Sequence, residues 1–307
     1  MYLSGILTVV PQIIRYSRTE FGSIFRLSNQ HEASIIKNKR NSQKEARALE
    51  AQAGKILVFD SGLGGLSVLR QLRRLMPREN FLYFGDSAFA PYGTRPTQQV
   101  RKLTLARIGE WMDGETKAVV IACNTATAAA IETLRQAYPR QIIIGVEPAL
   151  KLAAERFPGG RILVMGTEVT LREQKFATLM ERFTPTHRIV KVPCPGLVEC
   201  IEQGQLEGPA VDAVLTRCLG PHLQQPVDAV VLGCTHYPFV RRQIARCVGA
   251  DAAIFDGGEG TARETMRRLA QRGLLRQGGE GSVTLRNSRS TPEILALSQR
   301  LLDLPAL

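Results

Sequence analysis

Val227-Asp-Ala-Val-Val-Leu-Gly-Cys-Thr-His-Tyr-Pro238 passes from a short apolar run, Ala229 to Leu232, through Gly233 into Cys234, Thr235 and His236. An unbroken apolar run rich in β-branched residues, followed by small residues, reads as a parallel strand buried on both faces and ending at its carboxyl edge. Ligands of open α/β sheets gather at that edge. Ala118-Val-Val-Ile-Ala-Cys-Asn-Thr-Ala126 has the same form, with Cys123 followed by Asn124 and Thr125. Two strand-end thiols in two similar halves predict one active site with a sulfur on each side.

Around these two stretches, strand and helix alternate from Lys55 to the end of the chain. Buried-strand runs are expected at 56–59, 81–84, 118–121, 142–144, 162–165, 188–192, 229–232, 253–255 and 283–286, with helices between them. This alternation defines an α/β protein with mainly parallel sheets flanked by helices. Residues 1–54 differ: the piece from Ser28 to Gln52 is polar and carries no strand pattern. They are expected to be a poorly packed extension.

The chain has 307 residues, enough for two domains with ample core, and 44% of them are hydrophobic and 22% charged. No apolar stretch approaches the roughly 20 residues that span a bilayer, and Met1 to Ile14 lacks a basic start and a clear cleavage pattern. A cytoplasmic protein is expected, with six cysteines that form no Cys-x-x-Cys pair and remain reduced thiols. The net charge of +12 divides into +5 over residues 1–55 and +7 over the remainder. Its arginine pairs (Arg73-Arg74, Arg241-Arg242, Arg267-Arg268) are scattered with little aromatic interleaving, the pattern of solvated helix faces and not of a nucleic-acid surface.

Asp60-Ser-Gly-Leu-Gly-Gly65 closes a strand and opens a helix, so its glycines allow close backbone approach and the helix start offers free N–H groups. It is not a dinucleotide fingerprint, because Ser67 occupies the third glycine position. It reads equally as a small carboxylate pocket or a bare turn. Asp60 could cap the helix or orient a thiol, and Tyr92-Gly93 could shape a loop or close over a ligand. Cys234-x-His236 could bind zinc, but no second ligand pair has metal spacing, so no metal is expected.

A thiol is a base only as its thiolate, and a helix start or a nearby cation lowers its pKa. Both Cys123 and Cys234 are expected just before helices. Inverting a carbon centre needs a base on one face and an acid on the other, and two groups of similar pKa can exchange those jobs as the reaction reverses. Thr125, Thr235 and Asn124 are candidates to grip substrate carboxylates. His236 could hold a proton near Cys234, with Glu202 assisting on the same side. Cys194, Cys200, Cys218 and Cys247 are expected to be small buried hydrophobes.

Phe59-Asp-Ser-Gly-Leu-Gly-Gly65, Tyr83-Phe-Gly-Asp-Ser87 with Pro91-Tyr-Gly93, Ala122-Cys-Asn-Thr-Ala126 and Gly233-Cys-Thr-His-Tyr-Pro238 together resemble the glutamate racemases, over about residues 55–307. The resemblance implies a cofactor-independent enzyme that interconverts L- and D-glutamate, the latter for peptidoglycan. It implies two similar α/β domains with the active site in the interdomain cleft; here these are expected at 55–146 plus 257–307 and at 147–256. Carried onto this chain, Cys234 deprotonates L-glutamate and Cys123 deprotonates D-glutamate. Asp60 supports Cys123, while Glu202 and His236 support Cys234. Asp60, Ser61, Tyr92, Gly93, Asn124, Thr125, Thr235 and His236 bind the substrate. No lysine stands in any of the four motifs, so pyridoxal phosphate is not implied. A homodimer is compatible with this reading, and aspartate or a hydantoin is the rival substrate.

Overall fold

Nine strands, all pairing in parallel, form two sheets in the computed structural model, which describes residues 51–172 and 174–305. The expected extension at 1–54 therefore lies outside the described residues up to Glu50. Residues 51–53 are helical, and the carbonyls of Gln52 and Ala53 accept hydrogen bonds from Lys117 and Asn80.

The first sheet contains β1 (Lys55–Asp60), β2 (Asn80–Gly85), β3 (Thr116–Ile121), β4 (Ile142–Gly145) and, returning from the end of the chain, β9 (Ser282–Asn287); its order is β4-β3-β1-β2-β9. The second holds β5 (Arg161–Gly166), β6 (Arg188–Pro193), β7 (Ala229–Leu232) and β8 (Ala253–Asp256), in the order β6-β5-β7-β8. Without β9, the two orders are the same. β1 corresponds to β5 and β3 to β7, so Cys123 and Cys234 leave equivalent strands. In each sheet the chain steps first to one side of the founding strand and then to the other. The crevice at such a switch point is where open α/β sheets bind ligands. It falls between β1 and β3 in one sheet and between β5 and β7 in the other.

The apolar runs are continuous because both faces of each sheet are covered. Ile56, Val58, Ala118 and Val120 pack with α1 (Leu66–Leu75), α10 (Gly258–Gln271) and α11 (Pro292–Leu302). Leu57, Phe59, Val119 and Ile121 face α2 (Thr97–Trp111) and α3 (Asn124–Ala137). In the second sheet Leu163, Met165 and Val230 pack with α7 (Leu197–Glu202), α8 (Pro209–Leu219) and α9 (Arg241–Val248). Ile162, Val164 and Val231 face α4 (Leu150–Arg156), α5 (Glu168–Arg172) and α6 (Gln174–Glu181). One core runs from α1 to α8, joining the sheets. Among the described residues no helix is long and apolar enough to cross a membrane.

Candidate active site

β1 ends at Asp60, β2 at Gly85 and β3 at Ile121, so Asp60, Asp86 and Cys123 emerge together at one edge. Cys123 is extended and caps α3; its Sγ accepts the Ala126 N–H at 3.4 Å. The helix starts at once, at Asn124, which places Asn124 and Thr125 in its first turn. Cys234 is different. A short 3-10 turn, Tyr237–Val240, separates it from α9, so its nearest polar partner is a side chain: His236 Nδ1 lies 3.6 Å from Cys234 Sγ. The expected helix start exists for Cys123, but an imidazole takes its place for Cys234.

The two edges meet through the glycine turn. Glu202 at the end of α7 accepts the Leu63 N–H at 2.6 Å and pairs with His236 Nε2 at 2.6 Å, both on Oε1. Thr235 Oγ1 donates to Asp60 Oδ2 at 3.2 Å, and Asp60 Oδ1 accepts the Gly62 N–H at 2.8 Å. Asp60 therefore bridges the turn and the opposite edge; the residue before α1 is Gly65. A Cβ on Gly62 would collide with the Glu202 carboxylate and one on Gly64 with the His236 ring, so side chains in the turn would hold the two halves apart.

Burial sets the electrostatics. It pushes the Cys123 thiol up to about 12, and the Asp60 carboxylate adds to the rise; the Ser61 hydroxyl, 3.4 Å from Sγ, pulls the other way. Asp60 is itself raised by burial, which the His236 charge and the Gly62 N–H only partly offset. Burial also opposes charge on His236, but the Cys234 sulfur and the Glu202 carboxylate outweigh it and hold the imidazole well above its usual range. Burial would raise Glu202 as well; His236, the Leu63 N–H and the Ser87 hydroxyl instead hold it below the usual carboxylate range. The outcome is an imidazolium between a sulfur and a carboxylate on one side, and a protonated thiol on the other.

This pair makes stability pH-dependent. A raised His236 stabilises the fold fully below its unfolded value of 6.5, and the contribution is lost as pH rises through the higher folded value. Glu202 acts in the opposite sense, losing its contribution as pH falls below about 4.5. Between pH 6.5 and 8.5 the urea midpoint of the wild type is expected to fall with pH more steeply than that of His236→Gln. The limiting difference is about 1.4 kcal/mol per pH unit. Parallel curves would show that His236 is not held charged.

Tyr92 is buried and its hydroxyl donates to Asp86 Oδ2 at 2.7 Å, so the phenol is engaged within the fold. Gly93 abuts Thr167, where a Cβ would sit 2.7 Å from Oγ1. Thr167 Oγ1 lies 2.9 Å from Thr170 Oγ1, which lies 2.9 Å from Thr125 Oγ1. These two threonines were not among the sequence candidates. The signal was present: Ile162-Leu-Val-Met-Gly166-Thr167 has the form of the two cysteine stretches, with a hydroxyl in place of the thiol. Asn124 Oδ1 is buried without a hydrogen-bond partner, an acceptor suited to an ammonium group. Among the described residues no group of three or more His, Cys, Asp or Glu side chains is arranged to hold a metal ion.

Residues 56–265 match the model of the Asp/Glu/Hydantoin racemase family. A protein from Bifidobacterium adolescentis named glutamate racemase is 48% identical over 260 residues, 82% of this chain and 99% of the relative. The crystal structure of glutamate racemase from Thermus thermophilus, in complex with β-chloro-D-alanine, superimposes with a TM-score of 0.68 at 34% identity, covering 81% of this chain and 93% of that one. The Francisella tularensis glutamate racemase, in complex with D-glutamate, gives 0.73 at 25% identity, covering 83% and 96%. The fold is that of an isomerase with two α/β lobes. This chain belongs to the Asp/Glu/hydantoin racemase family.

Proposed function

We propose that this chain interconverts L- and D-glutamate by two-base proton transfer at the α-carbon, with Cys234 and Cys123 on opposite faces of the substrate. The observation that carries this reading is the pair of buried thiols on equivalent strands, each with its own acid–base partners: His236 and Glu202 beside Cys234, Ser61 and Asp60 beside Cys123. The lobes are 55–146 with 257–307, and 147–256, and the substrate lies in the cleft between them.

In the L-to-D direction Cys234 acts as thiolate and takes the α-proton, with the His236 imidazolium beside its sulfur. Cys123, held protonated by burial and by Asp60, gives its proton to the opposite face of the carbanion. D-glutamate uses the converse protonation form. The Asn124 Oδ1 acceptor receives the substrate ammonium. The hydroxyls of Ser61, Thr125 and Thr235 and the backbone N–H groups near Tyr92-Gly93 orient the carboxylates. A site with little water strengthens each of these interactions. Glutamate as substrate is supported by the named relatives, and the D-glutamate would feed peptidoglycan synthesis in the cytoplasm.

The test is α-proton exchange in D₂O with L- and D-glutamate, aspartate and a hydantoin, without added cofactor. Racemisation of glutamate from either enantiomer, with deuterium entering the product, is the expected result. Turnover of aspartate or the hydantoin alone would keep the chemistry and replace the substrate.

A further inference from the structure

The two oxygens of Glu202 are unequally held. Oε1 carries the Leu63 N–H and His236 Nε2; Oε2 faces the Ser87 hydroxyl alone, at 3.5 Å. The rotation of a carboxylate about its last bond is broad, so its own rotamer does not set the direction of the second oxygen. Ser87 does not float either. Asn287 Nδ2 donates to Ser87 Oγ at 2.9 Å, which leaves the Ser87 proton free to point at Glu202. Asn287 Oδ1 in turn accepts the Arg289 N–H at 2.8 Å. Ser87 and Asn287 are 3% and 4% exposed, so water does not readily replace either partner.

We propose that Ser87 and Asn287 are positioning residues for the Cys234 half of the reaction. The chain Arg289 N–H to Asn287 to Ser87 to Glu202 to His236 fixes the imidazole that faces Cys234 from the first sheet, although Cys234 and Glu202 belong to the second. The Ser87–Glu202 contact, at 3.5 Å, is the longest of this chain of hydrogen bonds. This inference rests on the two-thiol reading above. Neither residue touches the reacting atoms.

Rates alone cannot assign a residue to one half. The enantiomers have an equilibrium constant of one, so any variant lowers kcat/KM by the same factor in both directions. Isotope effects can. With α-deuterated L-glutamate the labelled transfer is to Cys234; with α-deuterated D-glutamate it is to Cys123. Ser87→Ala is expected to lower kcat about tenfold with little change in KM. It should raise the deuterium effect on kcat/KM from L-glutamate and lower it from D-glutamate, because only the Cys234 barrier has grown. Asn287→Leu should give the same asymmetry, and Ser87→Thr should restore the wild-type values. Equal effects from both enantiomers, or loss of activity that Ser87→Thr does not recover, would overturn the assignment. Failure of the underlying two-thiol reading looks different: Cys234→Ser would still racemise.

Discussion

Replacing either Cys123 or Cys234 by serine is expected to lower racemisation of glutamate in both directions by about 10²–10⁴-fold, the range a positioned acid or base contributes. The reason is geometric. Each thiol sits at the carboxyl end of an equivalent strand, and in the proposed reaction a base on one face cannot reprotonate the other. A serine hydroxyl occupies the same place but does not ionise usefully. The two losses should differ in what survives. With Cys123→Ser, Cys234 can still remove and return the α-proton of L-glutamate, so exchange without inversion should persist for that enantiomer. With Cys234→Ser it should persist only for D-glutamate. Proton NMR in D₂O follows exchange and polarimetry follows inversion on the same sample. Wild-type racemisation by either variant would remove that thiol from the mechanism.

The second large effect concerns stability at the opposite edge of the first sheet. Lys117 near the start of β3 and Glu79 just before β2 form an ion pair at 2.5 Å, with side chains only 3% and 2% exposed. Lys117 also donates to the carbonyls of Gln52 and Leu274, and Glu79 accepts the Arg276 N–H. The pair thus ties β2, β3 and the segment leading to β9 at one point. Removing one partner of a buried pair leaves an uncompensated charge, which costs about 3–5 kcal/mol. Lys117→Met is therefore expected to lower Tm by on the order of 10 °C. The double variant Lys117→Met/Glu79→Leu should recover most of that loss, since two apolar groups leave no buried charge. In protein that remains folded, kcat should be unchanged, because the pair lies at the amino ends of strands whose carboxyl ends build the site. A loss below 1 kcal/mol would show that the charge is solvated.

The strand ends were legible in the amino-acid sequence because their chemistry is local. A buried parallel strand must be apolar throughout, a close turn must be glycine, and a thiol or carboxylate placed next falls at the sheet edge; Asp60, Cys123 and Cys234 follow from that alone. The alternation of strands and helices in turn determined the fold class. The thiols' surroundings were not legible in the same way. Cys123 caps its helix as expected, yet its pKa rises, because burial and Asp60 outweigh the helix start. Cys234 has no adjoining α-helix and depends on His236.

By itself, then, the sequence determined the α/β class, the two matched halves and the residue types at each strand end. Tertiary structure decided which of those ends face each other. It brought Glu202 from α7 onto the β1 turn, added Thr167 and Thr170 beside Thr125, and linked Ser87 to Asn287 across 200 positions of chain. It also selected Lys117 and Glu79, two ordinary charges in the sequence, as a buried pair. The division has one physical cause. Periodicity and turn chemistry depend on neighbours along the chain, whereas hydrogen-bond partners, desolvation and the pKa shifts they produce depend on groups that only long-range packing brings together.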